Sequence, residues 1–285
     1  YNNSNDTIVC LQDLKQKKWK NIEVVLVDNC STDNSVIKIN EFLKEKYSKS
    51  YNHSFAINFL KLDTNKGFAA GNNIGINFAF SKCKDPFYIW MLNNDTKVDQ
   101  KSLSSLISFF ESDNYGIIGS KILDFDPPHT IQSIYGTFNR FTARTKTIQN
   151  INSINKISYP IGASLFLDSK IIMKVGFFNE NYFLYHEEID FSIRVLRNNL
   201  KIGVCLNSIV YHKQGASTGS FKNKKKENLH IEKYKYKGLI LLYKKFYKNY
   251  ILFAYINLIL KSIKFSLRGE FANALLILKV IFKNN

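Results

Sequence analysis

This sequence is short of acidic residues, of paired cysteines and of long unbroken apolar runs. Asp and Glu total 23 against 40 Lys and Arg, a formal net charge of +17 over 285 residues. Such an excess implies an anionic partner, whether nucleic acid, a phosphate-bearing substrate or an acidic membrane surface. Cys10, Cys30, Cys83 and Cys205 are far apart, with no CxxC pair and no histidine at metal-ligand spacing. A disulfide scaffold and a zinc site are therefore disfavoured, and free thiols of a reducing compartment are expected. No signal peptide is recognisable, and the uncharged stretch Tyr250 to Leu260 falls short of the ~18 to 20 apolar residues that cross a bilayer. The phosphate fingerprints GxGxxG and GxxxxGK[ST] are missing, which disfavours a Rossmann dehydrogenase and a P-loop enzyme. With 45% apolar residues, the chain can still bury a core in one large or two small domains.

What is present reads first as strand and helix in alternation. Ile22, Val24, Val25, Leu26 and Val27 make a short, mostly β-branched run, and Phe55 to Leu62 and Phe87 to Leu92 make two more. Ser35 to Lys46 has helical spacing at Val36, Ile39 and Phe42, with Asp33 or Asn34 as its cap. This order predicts right-handed crossovers and a mostly parallel sheet flanked by helices. In such sheets ligands bind at the carboxyl ends of the strands, because helices cover the faces. Asp28 with Asn29, and Asn93, Asn94 and Asp95, both stand where a strand stops. Two acidic strand ends predict one site. Tyr1 to Ser4 reads as a loop with no strand before it, so the expectation is that the numbering begins inside the domain and an upstream strand is missing.

Further on, Asp126-Pro127-Pro128 marks a turn, and Ile131 to Tyr159 is rich in Thr, Asn, Ser and Ile, as hairpins or a mobile loop would be. Ile161 to Leu167 reads as a buried strand, and Ile171 to Val175 as a short helix ended by Gly176. Tyr185 to Asn198 starts acidic, at Glu187, Glu188 and Asp190, and ends basic, at Arg194 and Arg197, as a helix dipole favours. Beyond His212 the character changes. Lys222, Lys224, Lys225, Lys226, Lys233, Lys235 and Lys237 precede an aliphatic and aromatic helical stretch, so a boundary is expected near Gly215 to Phe221.

Each cluster admits chemistry and a plainer explanation. Asn65, Gly67, Gly71 and Asn72 join a strand to a helix, where glycines let backbone approach a ligand and free N–H groups can meet a phosphate. A tight turn without a ligand fits equally. Asn93, Asn94 and Asp95 offer hard oxygen ligands suited to Mg²⁺ or Mn²⁺; alone, Asp95 would read as the cap of a following helix. Glu187, Glu188 and Asp190 can include a general base, since crowded like charges raise a carboxyl pKa. A solvated helix start also explains them. His212 follows another strand and can return to the same crevice, although a lone histidine is more often a packed or surface residue.

Taken together, YNNS, VDNCSTDNS, NKGFAAGNN, LNNDT, IGASLFL, VGFFNENYFLYHEEIDFSIRV and VYHKQGAST, in this order, resemble the family 2 glycosyltransferases of the GT-A fold, especially a rhamnosyltransferase-like branch that builds bacterial surface polysaccharides. The resemblance covers Tyr1 to about Thr218, with 219–285 as a basic, amphipathic helical tail. It implies a nucleoside-diphosphate sugar donor of UDP or dTDP type, a divalent cation, and inverting transfer to a glycan or lipid-linked acceptor. By resemblance, Asp28 and Asn29 lie on the nucleotide side, and Asn65, Gly67, Gly71 and Asn72 line the donor. Asp95 is the metal ligand, flanked by Asn93 and Asn94, and His212 approaches the metal. Glu188 falls on the position of the base, with Glu187 and Asp190 as alternatives, while Gly162 and Ala163 leave room for the sugar. The tail is read either as lying on an anionic membrane, at the inner face of the cell membrane, or as an ordinary packed helical pair. Two rival readings are an inactive module that binds a sugar, and a nucleic-acid-binding protein. The latter is disfavoured, because the basic residues concentrate in the tail without an RNP, zinc-finger or helix-turn-helix signature.

Overall fold

The computed structural model describes residues 1–47, 55–150, 157–213 and 229–283. The expected boundary at 215–221 and the lysines Lys222 to Lys226 lie outside the described residues. The chain opens with helix α1 (Ser4–Gln16), where the sequence suggested only a loop. Strand β1 (Ile22–Asp28) follows, then helix α2 (Ser35–Tyr47) and strand β2 (Phe55–Lys61), which pairs parallel with β1 in the register Val24 to Ile57. The β-branched run between turn residues explains β1, and the Asp33 side chain accepts from the Ser35 N–H to start α2, as anticipated.

Helix α3 (Gly67–Lys82) leads to β3 (Tyr88–Leu92), the short β4 (Thr96–Val98), helix α4 (Ser102–Glu111) and the long β5 (Tyr115–Asp124). Strands β6 (Ile131–Ser133), β7 (Tyr135–Asn139) and β8 (Arg144–Ile148) follow, so the Thr- and Ser-rich stretch contains a hairpin, β7–β8. Then come β9 (Ser164–Asp168), helix α5 (Ser169–Val175), helix α6 (Glu187–Arg197) and strand β10 (Lys201–His212). Asp168 caps α5 by accepting from the Lys170 N–H, and Gly176 ends it at φ 88°.

The main sheet runs β3–β9–β5–β10–β4, with β6 beside β5. Its pairings correct one expectation. Only β5–β10 is parallel here; β3–β9, β9–β5, β5–β6 and β10–β4 are antiparallel, and the parallel pair β1–β2 forms a separate sheet. The strand–helix pattern that signals parallel crossovers holds only for the first third of the chain. Ile117, Ile118 and Ile122 of β5 and Leu165, Phe166 and Leu167 of β9 are fully buried. Helices α3, α4 and α6 supply Ile76, Leu106, Phe191 and Val195 to the same core. Continuous apolar runs in these strands are what burial on both faces demands.

The C-terminal region is helical: α7 (Leu229–Phe246), a 3₁₀ turn at Lys248–Tyr250, α8 (Ile251–Leu267) and α9 (Phe271–Lys283). Tyr236, Ile240 and Tyr243 of α7 share a core with Ala254, Leu258, Ile277 and Val280, and Ala143 of the hairpin region joins them. The Tyr243 hydroxyl donates to the Arg140 carbonyl at 2.5 Å, and the Asn257 amide donates to that of Thr142 at 2.8 Å. This region is therefore docked through α7 and α8. A further correction concerns length: Lys248–Leu267 is a helical segment long and apolar enough to cross a membrane by length and composition, because helix periodicity continues past Lys261 and Lys264.

Candidate active site

Strand β1 delivers Asp28 into the turn that starts α2. The carboxylate is buried, and it accepts from the Ser31 N–H at 2.8 Å and from the Ser31 hydroxyl. Both oxygens thus brace the loop. Asn29 braces the next one: its Oδ1 accepts from the Lys66 N–H at 2.9 Å and its Nδ2 donates to the Gly67 carbonyl at 2.9 Å. Gly67 sits at φ +84°, and a Cβ there would lie 2.2 Å from the Phe183 carbonyl oxygen. Only glycine fits. The Gly67 N–H is taken by the Asn65 Oδ1 and the Phe68 N–H by the Phe183 carbonyl. Three of the N–H groups at this helix start are therefore already engaged and not open to a phosphate. Residues 66–68 spend theirs on Asn29, Asn65 and Phe183. Asn72 donates to the Phe68 carbonyl of its own helix, and Gly71 faces Asn29.

The second strand end follows β3. Asn93 is fixed through backbone, its N–H donating to the Ala163 carbonyl at 3.1 Å. Asn94 turns away from the crevice and donates to the Thr7 hydroxyl at 2.8 Å, which holds α1. The same helix start reaches the first strand end, since the Asn2 N–H donates to the Ser31 hydroxyl at 2.8 Å and the Ser4 N–H to the Ser35 hydroxyl at 3.2 Å. The two strand ends are joined as one unit.

Asp95 does not cap a helix, because β4 follows it. It is buried, and its Oδ1 has no hydrogen-bond partner. Opposite stands His212 at the end of β10, with Nε2 at 3.3 Å from that oxygen and 3.2 Å from the Asn93 Nδ2. No three His, Cys, Asp or Glu side chains converge on a metal position among the described residues. A small hard cation needs no such trio, since Mg²⁺ takes one or two carboxylates and completes its shell with substrate phosphates and water. An orphaned buried carboxylate oxygen beside an imidazole nitrogen fits that role.

A surface cavity of about 410 Å³ lined by Asp13, Lys97, Phe125, His129 and Tyr211 lies elsewhere. In the β4–β10 ladder Lys97 pairs with Tyr211, and neither Asp95 nor His212 lines this cavity.

The acidic helix start divides into three different carboxylates. Asp190 is fully buried and bonded at 2.6 Å both to the Arg194 Nε and to the Lys245 Nζ of α7. Arg194 in turn donates to the carbonyls of Val175 and Phe177. Asp190 is thus a structural junction, which removes it as a candidate base. Glu187 is buried with Oε2 unpartnered, and burial, followed by the neighbouring Glu188 charge, raises its carboxyl well above the usual range. Glu188 is half-buried, and burial pushes its carboxyl up to about 7 against the pull of the backbone N–H groups of Glu188 and His186. Burial, more than the crowding of like charges, is the leading cause. His186, at φ 74°, has its imidazole pushed down to about 4 by burial, so it carries no charge at neutral pH. Tyr159 lies close enough to Glu188 for that charge, after burial, to raise the phenol.

One segment links the two clusters. Tyr159 faces Glu188 and Ala163 holds Asn93; four residue steps part them, at most about 14 Å of chain. Between them Gly162 has open space where a Cβ would point. Residues 1–176 match Glycosyl transferase family 2.

The chain belongs to Glycosyl transferase family 2. It is 25% identical over 170 residues to the "Low-salt glycan biosynthesis hexosyltransferase Agl10" of Haloferax volcanii, covering 59% of this chain and 55% of that one. It is 23% identical over 184 residues to the "Glycosyltransferase GlyG" of Streptococcus pneumoniae, covering 64% and 57%. The chain thus spans a little over half the length of these curated relatives. The crystal structure of GalNAc-T7 with UDP, GalNAc and Mn²⁺ superposes with a TM-score of 0.54 at 14% identity, over 67% of this chain and 37% of that chain. The fold is that of a GT-A glycosyltransferase.

For this family 2 chain the sequence left three supporting residues unnoticed. Asn73 is buried in α3 and binds the Phe178 backbone in both directions, at 2.8 and 3.0 Å, and the Glu180 carboxylate at 2.9 Å. Phe183 closes on the glycine turn, and Gln132 touches His212. Asn73 and Phe183 stood inside motifs already singled out; no pattern marked Gln132.

Proposed function

We propose that this chain is a metal-dependent, inverting hexosyltransferase that moves a sugar from a UDP- or dTDP-type donor to a hydroxyl of a surface-polysaccharide or lipid-linked glycan. The observation that carries this reading is the unpartnered Asp95 Oδ1 beside His212 Nε2 at a strand end, with the segment 159–163 running from there towards a carboxyl held near neutrality. Asp95 and His212 would hold a divalent cation, Mg²⁺ or Mn²⁺, which supplies Lewis-acid stabilisation of the departing diphosphate. Glu188 accepts the proton of the acceptor hydroxyl as that oxygen attacks the anomeric carbon from the face opposite the leaving group. A carboxyl titrating near the working pH suits general-base work. Gly162 leaves space for the donor sugar, and Asn29 and Asn65 shape the loop on its nucleotide side. Rhamnose is the sugar suggested by the motif resemblance alone.

The proposed arrangement has 1–218 as the catalytic unit and 219–285 as a membrane-facing helical region. Leu252, Ile256, Leu260, Ile263 and Leu267 of α8 are exposed on the side opposite its buried Ala254, Leu258 and Ser262, and Phe271, Leu275 and Phe282 of α9 are exposed likewise. Patches of this extent mark interaction sites. Immersing about half of this surface is worth on the order of 5–10 kcal/mol. Nearby lysines add about 1 kcal/mol each against an anionic leaflet. In this reading the enzyme works on the cytoplasmic face of the cell membrane, where lipid-linked acceptors are presented; no nucleic acid enters the scheme.

The test is transfer, or donor hydrolysis, assayed with UDP- and dTDP-sugars and Mn²⁺. Asp95→Ala and Glu188→Gln should each abolish most turnover. Undiminished turnover in both variants would show that the chemistry lies elsewhere.

A further inference from the structure

We propose that Gln132 is a positioning residue that, held by Asp124, fixes the neutral His212 ring in the tautomer whose Nε2 lone pair faces Asp95. The inference rests on the reading of Asp95 and His212 as cation ligands. Strands β6, β5 and β10 lie side by side, and the parallel register sets His212 directly opposite Asp124. Gln132, from β6, reaches across. Its Nε2 donates to the Asp124 Oδ1 at 3.1 Å and to the His212 carbonyl at 3.0 Å, and its Oε1 stands 2.8 Å from the His212 Nδ1.

Asp124 takes the Thr130 hydroxyl on one oxygen and Gln132 on the other, and these two bonds hold its carboxyl below the usual range. It is therefore an acceptor only, as is the His212 carbonyl. Two acceptors on one side of the Gln132 amide oblige its NH₂ to face them and its oxygen to face Nδ1. An acceptor at Nδ1 requires the proton there. In the neutral ring Nε2 is then left as a lone pair, the form that a cation needs. Asn93 Nδ2, a donor, faces that lone pair at 3.2 Å, while Asp95 Oδ1 faces it at 3.3 Å with no hydrogen between them to share. In that tautomer the Asp95 Oδ1 is the acceptor left without a donor, beside an Nε2 lone pair that only the Asn93 amide meets, and a cation would serve both.

The tests use the full chain. Mn²⁺ affinity is measured by the loss of the free-ion electron paramagnetic resonance signal, and the His212 tautomer by ¹⁵N NMR of metal-free protein above the ordinary imidazole range. Gln132 is only partly buried, and thermal unfolding will show whether its variants fold. Gln132→Leu should weaken Mn²⁺ binding about 10- to 100-fold and populate the Nε2–H tautomer. Pairing Asp124→Asn with Gln132→Glu restores the 124–132 bond and keeps an acceptor against Nδ1 while the His212 carbonyl loses its donor, so the pair should recover the Nδ1–H tautomer and part of the affinity. Wild-type protein carrying the proton on Nε2, or a Gln132→Leu variant with unchanged tautomer and affinity, overturns the proposal. If wild-type protein binds no Mn²⁺, the cation reading fails, and the NMR arm still decides the relay: Nδ1–H upholds it, Nε2–H overturns it.

Discussion

Glu188 and Asp190 are two residues apart on one helix, and the proposed function gives them opposite work, so swapping each for its amide should separate stability from turnover. Asp190 is fully buried between the Arg194 guanidinium and the Lys245 ammonium, each at 2.6 Å. Removing one partner from a buried ion pair costs about 3–5 kcal/mol, because the remaining charge stays behind without compensation. The Lys245 side chain is 35% exposed and Arg194 16%, so water recovers part of that, and about 3 kcal/mol is the working figure for Asp190→Asn. With an unfolding entropy of about 2.1 cal/mol/K per residue, the whole chain would lose roughly 5 °C in Tm. Glu188→Gln removes only a carboxyl that burial already disfavours, so its Tm should hold or rise while kcat falls about 10²- to 10⁴-fold. Differential scanning calorimetry and steady-state transfer rates read the two effects. The opposite pattern, Asp190→Asn folding like wild type but inactive and Glu188→Gln fully active, would refute the division of labour.

The pH dependence has a defined sign. Glu188 must be ionised to accept a proton, so kcat/KM should climb through pH about 7, and this limb should vanish in Glu188→Gln. Because its folded pKa lies above the unfolded value, the stability it contributes is full below the ordinary glutamate range and lost as pH rises through about 7. The Tm advantage of Glu188→Gln over wild type should widen across that interval. Two glycine substitutions should behave differently: Gly67→Ala drives a Cβ into the Phe183 carbonyl and should cost on the order of 2–4 kcal/mol. Gly162→Ala meets nothing within 4 Å and should leave Tm unchanged while raising the donor KM. Flotation with anionic vesicles should recover the wild-type chain, and Leu260→Glu with Ile263→Glu should release it; equal flotation of both would remove the membrane face from the account.

The first third of the fold was legible because β-branched strands, polar turns and helical spacing alternate there with little ambiguity. Sheet direction in the rest was not, since the apolar runs of β9 and β5 read the same whether the strands run parallel or antiparallel. Helix α1 was hidden by its polar start, Asn2-Asn3-Ser4, which looks like loop and in fact ties both strand ends together. Among candidate site residues, Asp95 and His212 come together across β4 and β10. Asn94 and Asp190 turned out to be committed to α1 and to Arg194 with Lys245. Sequence spacing shows which residues share a helix start, but only packing shows which of them is already paired. Gln132 lay in a stretch with no periodic signal, and only the adjacency of β6, β5 and β10 makes it matter.

The most direct measurement is calorimetric titration of the full-length chain with UDP and with dTDP, with and without Mn²⁺, in wild type and Asp95→Ala. The account predicts that one nucleotide binds wild type at least tenfold more tightly with Mn²⁺ and that Asp95→Ala erases this gain. Binding of both nucleotides that is indifferent to Mn²⁺, or a gain that survives in Asp95→Ala, would contradict it.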